Sequence, residues 1–405
     1  MLYRKMAKSA DELSVLGFGC MRLPGENDRI DEKRATAQVR YAIEHGVNYV
    51  DTAMPYHQGE SEPFLGRALG EGYRARVKLA TKLPPWRVET RQDMDRLLNL
   101  QLERLRTDRI DYYLLHGLNR ATWEKMKLLG ALEFLDRAHE DGRIGYQGYS
   151  FHGDKDVFKE IVDAYDWDFC QIQYNYLDET NQAGAEGLKY AAAKRLGVII
   201  MEPLQGGYLS RRAPPAVNAI FEQAPIKRSP AEWALRWVWD HPEVTVVLSG
   251  MNREDHLEEN LRLADQALPN SLTASELEII EQVKKTYQRL MKVACTGCRY
   301  CLPCPQGVEI PFCFEAYNTL SLFGDKTGSL IKYILRTGGN NQESAAYASL
   351  CQECGECEPA CPQHLPIPEL LKDVAREFEG PNFKPMLSMI RKFLAGDAQI
   401  KENKK

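Results

Sequence analysis

Up to about residue 265, short apolar runs alternate with longer amphipathic ones. The apolar runs are Leu13–Met21, Val47–Ala53, Val77–Leu83, Ile110–Leu118, Ile144–Ser150, Trp167–Asn175, Gly197–Leu204 and Val244–Gly250. Each is short and rich in β-branched or aromatic residues, which predicts a buried strand. Between them, segments such as Arg91–Leu105 and Ala121–Gly142 carry apolar residues at helical spacing. Strand–helix alternation of this kind predicts parallel strands joined by crossover helices. Eight units fit a closed (β/α)8 TIM barrel of about 250 residues. An open doubly wound sheet is the competing architecture, but it calls for a G-x-G-x-x-G turn after the first strand. "LGFGCM" holds only part of that signal. The stretch before it reads as a short hairpin feeding the first strand.

The texture changes near Leu290, where prolines, glycines and closely spaced cysteines begin. The expected organisation is a barrel over residues 1–290 and a mainly α-helical ferredoxin-like dicluster domain over 291–375. A C-terminal helix and charged tail, 376–405, complete it. A helical insert, Pro311–Leu335, lies inside the second domain. The 405 residues carry a formal net charge of -5, which argues against nucleic acid as a partner. No run approaches the roughly 20 apolar residues of a membrane span, and the first residues lack a signal-peptide pattern. The expected location is cytoplasmic.

In a barrel of this kind the chemistry sits at the C-terminal ends of the strands. Asp51 closes the second strand, Lys82 the third and His116 the fourth, and Tyr56 follows in the loop after Asp51. Each alone also has a reading as a rim salt bridge or hydrogen bond. Together they describe a proton-transfer site. A phenol titrates near 10, too high for efficient exchange at neutral pH. A neighbouring Lys⁺ favours the phenolate, and a carboxylate keeps that lysine charged and in place. A histidine beside the phenol orients a substrate oxygen.

The spacing of "EHGVNYVDTAMPY", "ATK" and "DYYLLH" is similar to that of the aldo-keto reductase family, over about residues 1–290. The resemblance implies Tyr56 as general acid/base, tuned by Lys82, with Asp51 paired to Lys82 and His116 orienting a carbonyl. It also implies an NADPH or NADH site. Ser150 and Gln171 match carboxamide-binding positions. Phe151 stands where the family has an amide, and His152 is extra. Met201 takes the place of a stacking tyrosine. Gly206, in "LQGGYL", belongs to a glycine-rich loop suited to a pyrophosphate. Ser249, Gly250, Arg253 and Asn260 fall in the family's adenine-end segment, and Arg253 suits a 2′-phosphate. The substrate implied is a small carbonyl or alcohol. Trp86 and Tyr176 are candidates for its apolar walls.

Nine of the 11 cysteines lie after residue 290, eight of them in two combs. Clustering at ligand spacing points to metal rather than to a disulfide framework. Cys351, Cys354, Cys357 and Cys361 give C-x2-C-x2-C-x3-C-P, the bacterial run for a [4Fe–4S] cluster. Cys295, Cys298, Cys301 and Cys304 form a comb one residue shorter. Both continue alike, "CPQGVEIP" and "CPQHLPIP", which marks an internal repeat. In two-cluster modules the fourth cysteine serves the other cluster. That assigns Cys295, Cys298, Cys301 and Cys361 to one cluster and Cys304, Cys351, Cys354 and Cys357 to the other. The shortened comb leaves one cluster as an alternative to two, and zinc as a weaker one. Cys313 reads as core. With both parts in view, the chain resembles the iron–sulfur branch of the aldo-keto reductases, whose members carry a 4Fe-4S ferredoxin domain.

A nicotinamide moves two electrons and a cluster moves one, so coupling them calls for a splitter such as a flavin. Three readings follow. The clusters pass electrons between barrel and a redox protein partner; or the barrel is a self-contained carbonyl reductase with structural or redox-sensing clusters; or the chain is a cofactor-sensing electron-carrier subunit. The complete tetrad favours an enzyme, and paired combs favour electron transfer.

Overall fold

Eight parallel strands close into a barrel in chain order: β1 (Leu16–Gly19), β2 (Tyr49–Asp51), β3 (Lys78–Leu83), β4 (Ile110–Leu118), β5 (Ile144–Phe151), β6 (Phe169–Gln173), β7 (Gly197–Met201) and β8 (Val244–Ser249). Strand β8 returns to β1, with Val247 opposite Leu16 and Ser249 opposite Phe18, so the sheet has no free edge. Each strand lies within or overlaps its expected run. The first is trimmed because Glu12–Ser14 pairs antiparallel with Tyr3–Lys5 as the N-terminal hairpin. The structure, a computed structural model, describes residues 1–26, 29–339 and 344–389. Of the expected C-terminal helix and tail, residues 390–405 lie outside the described residues.

The barrel interior explains where the polar residues point. Met6 and Leu13 of the hairpin pack with Tyr49, Ala80, Leu114, Phe169 and Ile199 in one buried cluster. Side chains alternate along a strand. Asp51, Lys82, His116, Gln171 and Met201 each stand two residues beyond one of these interior positions. They therefore face the same interior, one layer nearer the C-terminal ends of the strands.

The outer helices show where local chemistry overrides periodicity. Arg91–Leu105 is one helix, closed at its start by a capping box between Thr90 and Asp93. Ala121–Gly142, expected as one helix, is two: Arg120–Leu128 and Ala131–Glu140. The break falls at Gly130, whose φ of 75° ends the first helix and caps the second. The insert after the first comb divides the same way, into Ile310–Phe323 and Lys326–Thr337, at Gly324 and the capping Asp325.

The chain forms two compact units that are not separated by a single cut. One comprises Met1–Gln205 with Arg228–Leu277; the other comprises Gly206–Lys227 with Glu278–Lys405. Part of the segment between β7 and β8, Gly206–Lys227, thus folds with the combs. Helix Ala274–Leu290 runs from the end of the first unit into the second. The core of the second unit joins Val308, Ile310, Cys313, Phe314, Tyr333 and Ile334 to residues of helix Ile367–Phe378, including Leu371 and Val374. Cys313 is fully buried there, as a core residue.

Candidate active site and cluster ligands

Lys82 is 1% exposed, so its charge needs a partner. Its Nζ donates to both oxygens of Asp51, at 2.8 and 2.7 Å, and to the Thr52 carbonyl at 2.7 Å. The same nitrogen lies 5.3 Å from the centre of the Tyr56 ring. Tyr56 meets His116 edge-on, with ring centres 6.3 Å apart. The four residues expected at the strand ends are therefore gathered in one place. Burial pushes the Asp51 carboxyl up, and the Lys82 charge opposes that shift. Burial drives His116 well below the usual imidazole range, helped by the charge of Lys82 and by nearby His152. His116 is thus a neutral hydrogen-bonding group beside a charged lysine.

The supports of this site were not legible as functional residues. Behind β3, fully buried Glu62 accepts from Thr81 Oγ1 and from Gln101 Nε2, each at 2.7 Å. Gln101 also donates to the Lys82 carbonyl at 3.0 Å and accepts from the Tyr113 hydroxyl at 2.8 Å. This network clamps the end of β3 from outside the barrel. Its members sit among ordinary helical residues, and no motif marks them. The turn carrying Tyr56 is constrained too. His57 and Gln58 hold φ of 50° and 55°, a left-handed conformation that costs about 1–2 kcal/mol per residue. His57 Nε2 accepts from the Leu23 backbone N–H at 3.1 Å, which ties the turn to the chain after β1.

Gln171 is 1% exposed, and its Oε1 has no hydrogen-bond partner among the described residues. Its Nε2 faces the Met201 sulfur at 3.7 Å. A buried acceptor of this kind fits a ligand amide N–H, so the residues present suit a nicotinamide carboxamide. Ser150 Oγ accepts from the Gly117 backbone N–H at 2.7 Å, joining the ends of β4 and β5. Phe151 packs against Phe158 with ring centres 5.0 Å apart, on the helix side of the sheet. His152 is buried, with Nδ1 3.1 Å from Gln182 Oε1. Ser249 and Asn260 are buried together, Nδ2 to Oγ 3.0 Å. Gly250 and Arg253 are exposed, and Arg253 holds Asp255 through two bonds of 2.9 and 2.7 Å.

Of three further positions, two differ from the simplest sequence picture. Gly206 folds with the comb-bearing unit. A Cβ there would stand 2.0 Å from the Thr296 carbonyl oxygen, so close backbone approach already requires glycine. Trp86 is half-exposed, its ring 5.1 Å from that of His116, as suits a wall residue. Tyr176 is only 1% exposed and packs edge-on to Trp237, which makes it a packing residue rather than a wall.

The two combs repeat in backbone geometry as well as in sequence. Gly297 and Glu353, each two residues after the first cysteine, have φ of 68° and 57°. Arg299 and Gly355, each after the second cysteine, have φ of 69° and 76°. In both combs the N–H two residues on donates to the first sulfur at 3.4 Å: Gly297 to Cys295 and Glu353 to Cys351. Gly307 and His364 close matching turns, donating to the Cys304 and Cys361 carbonyls at 2.9 and 3.0 Å. Helices then start at Ile310 and Ile367, six residues after Cys304 and Cys361 respectively. That Arg299, Glu353 and His364, the last with φ of 50°, accept left-handed backbone in register shows the turns are demanded by the comb and not by composition.

The cysteines group across the combs. Cys301 lies within electrostatic reach of Cys295 and Cys361, and more weakly of Cys357. Cys357 lies within reach of Cys351, Cys304 and Cys354. Burial is the leading cause that pushes these two thiols up, to about 12 and about 11. Iron in place of the protons relieves that penalty, because a cluster takes thiolates. A cavity of about 100 Å³ is lined by five comb cysteines, Cys301, Cys304, Cys351, Cys354 and Cys357. Among the described residues no three ligands converge as closely as a single metal ion needs.

Comparison with known proteins agrees with both halves. Residues 15–285 match the model of the aldo/keto reductase family, and residues 294–366 match that of a 4Fe-4S dicluster domain. An uncharacterized oxidoreductase of Bacillus subtilis, YqkF, is 27% identical over 314 residues, 70% of this chain and 97% of its own length. Protein tas of Escherichia coli is 27% identical over 70% of this chain and 98% of its own. The solved holo form of the aldo-keto reductase AKR11C1 from Bacillus halodurans is 30% identical, covering 70% of this chain and 96% of its own with a TM-score of 0.59. No helix among the described residues is long and apolar enough to cross a membrane.

Proposed function

On the premise that this chain belongs to the aldo/keto reductase family, we propose that it interconverts a small carbonyl and its alcohol with NAD(P)H through Asp51, Tyr56, Lys82 and His116, and that its C-terminal clusters exchange electrons with a redox partner. The chain is an oxidoreductase of the aldo-keto reductase type carrying a 4Fe-4S dicluster domain. The observation that carries the proposal is the buried Lys82, held by Asp51 at 2.7 Å and standing over the Tyr56 ring.

When bound, a nicotinamide would supply the hydride that the carbonyl carbon accepts. Tyr56 gives its hydroxyl proton to the carbonyl oxygen, and Lys82 stabilises the phenolate left behind. Asp51 keeps Lys82 charged in a dry site. Neutral His116 donates to the same oxygen and orients it. Gln171 Oε1 accepts from the carboxamide, and the Ser150 hydroxyl stands on the same rim. The Cys295–Cys298–Cys301–Cys361 and Cys304–Cys351–Cys354–Cys357 quartets would hold two [4Fe–4S] clusters, which would supply one-electron carriers. The grouping of thiols across the combs supports that division.

Arg253 supports a preference for NADPH. It is exposed, and an exposed ion pair such as that with Asp255 contributes only about 0–1 kcal/mol, so the guanidinium is readily transferred to a 2′-phosphate. Arg253→Ala is expected to raise KM for NADPH about tenfold, a loss of roughly 1.4 kcal/mol, with KM for NADH little changed. Equal effects on both cofactors remove Arg253 from the 2′-phosphate.

The proposal is tested without oxygen by adding NADPH or NADH to the protein while recording cluster absorbance. Bleaching is expected, and iron and flavin assays then show whether a flavin splits the hydride. Clusters that dithionite reduces but nicotinamide does not leave the barrel a self-contained reductase.

A further inference from the structure

We propose that the barrel rim carries a subsite for a primary ammonium group, formed by Gln173, Asp178 and Gln205, and that the substrate of this protein is an amino-substituted carbonyl or alcohol. The assignment of the ammonium to a substrate rests on the carbonyl-reducing function proposed above.

All three residues belong to the barrel unit. Gln173 ends β6, two residues beyond Gln171, so both side chains face the same interior. Gln173 is fully buried and Gln205 is 2% exposed. Each donates through Nε2 to the same atom, Asp178 Oδ2, at 3.2 and 3.3 Å. A carboxylate oxygen only accepts, so both amides turn their NH2 groups toward it and their carbonyl oxygens away. Those two oxygens, Gln173 Oε1 and Gln205 Oε1, are buried with no hydrogen-bond partner among the described residues. An acceptor in that state carries its full desolvation penalty until a donor reaches it.

The backbone holds this arrangement against strain. Glu202 and Gln205 have φ of 55° and 44°, left-handed values that residues other than glycine avoid. Fully buried Asn175 ties the two loops together. Its Oδ1 accepts from the N–H groups of Leu177 and Asp178, at 3.0 and 3.2 Å, and its Nδ2 donates to the Glu202 carbonyl at 3.1 Å. Held strain of this kind clusters at ligand sites.

The ligand follows from the donor count. The two amide oxygens and the carboxylate are all acceptors. Burial pushes the Asp178 carboxyl up, and among the described residues no cationic side chain pairs with it. An ammonium has three donors and no acceptor, so it fills such a site with nothing left over, and its charge answers that of Asp178. A hydroxyl brings one donor and lone pairs of its own that find no donor here. Met201, half-buried opposite Gln173 in register, is an unbranched side chain able to give way to a ligand.

The test compares 3-aminopropanal, 3-hydroxypropanal and butanal, equal in heavy atoms, as substrates of the full-length protein with NADPH. The aminoaldehyde is expected to exceed butanal in kcat/KM by about 10–100-fold, the range for hydrogen bonds to a charged group. The hydroxyaldehyde is expected to stay close to butanal. In Asp178→Asn and in Gln173→Leu the ratio of aminoaldehyde to butanal should fall toward one, and a general loss of activity or stability cancels in that ratio. A ratio near one in the wild type, or a ratio unchanged in both variants, overturns the inference. If no aldehyde turns over, the carbonyl-reducing reading fails instead, and calorimetry decides the subsite. Tighter binding of 3-amino-1-propanol than of 1-butanol, lost in Gln173→Leu, upholds it; equal binding overturns it. Ammonium chloride bound as tightly as the amino alcohol assigns the site to a free cation and overturns its role in substrate choice.

Discussion

Tyr56→Phe is expected to lower kcat for carbonyl reduction by about 10²–10⁴-fold, the range for loss of a positioned general acid, with little change in thermal stability. The substitution removes one hydroxyl from a half-buried ring and leaves the ring's contact with His116 in place. Lys82 and Asp51 keep each other as partners at 2.8 and 2.7 Å, so no buried charge is orphaned. Lys82→Met lacks this clarity. It strands Asp51 in a buried site, and breaking a buried pair costs about 3–5 kcal/mol. Lost activity there mixes lost catalysis with lost folding. The informative companion is the double change Lys82→Met with Asp51→Asn, which removes both charges. It is expected to retain the barrel while losing turnover. The readouts are kcat and KM under saturating cofactor and a thermal melt. Turnover within a few-fold of wild type in Tyr56→Phe removes the tyrosine from proton transfer, whatever its position.

The barrel was legible because its strands are mostly buried on both faces and read as short, mainly apolar runs at regular spacing. The rim residues were legible for a related reason. A charged side chain at the end of such a run, Asp51 or Lys82, has no packing rationale. Glu62 and Gln101 were not, although the network they form sets the Lys82 backbone. They lie on helices where polar residues are ordinary, and only the fold turns them inward. Gly130 split a segment whose periodicity continues across it, because one left-handed residue outweighs a pattern that both neighbouring turns satisfy. Gly206 was legible as a glycine in a glycine-rich loop. Its strongest constraint, the Thr296 carbonyl, lies 90 residues away in sequence and is invisible to any local reading. The combs were legible in full as a repeat, since their spacing dictates backbone turns that recur position by position.

The crossing of the combs yields the second large effect. If the fourth cysteine of each comb serves the other cluster, Cys361→Ala must resemble Cys298→Ala and not Cys354→Ala. Each single change is expected to remove about half the iron, because one of two cubes loses a corner. The spectra divide the four variants differently from the sequence. Cys298→Ala and Cys361→Ala should lose one EPR signal, and Cys354→Ala and Cys304→Ala the other. Alanine is the right replacement, since Cys361 is only 9% exposed and belongs to the apolar core of its unit. Metal binding contributes directly to the folding of small metal-bearing domains, and both quartets pack on that core, Cys295, Cys301 and Cys361 from one and Cys304, Cys351 and Cys357 from the other. Removal of either cluster should therefore lower the melting temperature of the C-terminal unit. Should Cys361→Ala and Cys354→Ala lose the same signal, each comb closes its own cluster. The proximity of Cys301 to Cys361 would then reflect packing between two cubes, and not a shared one.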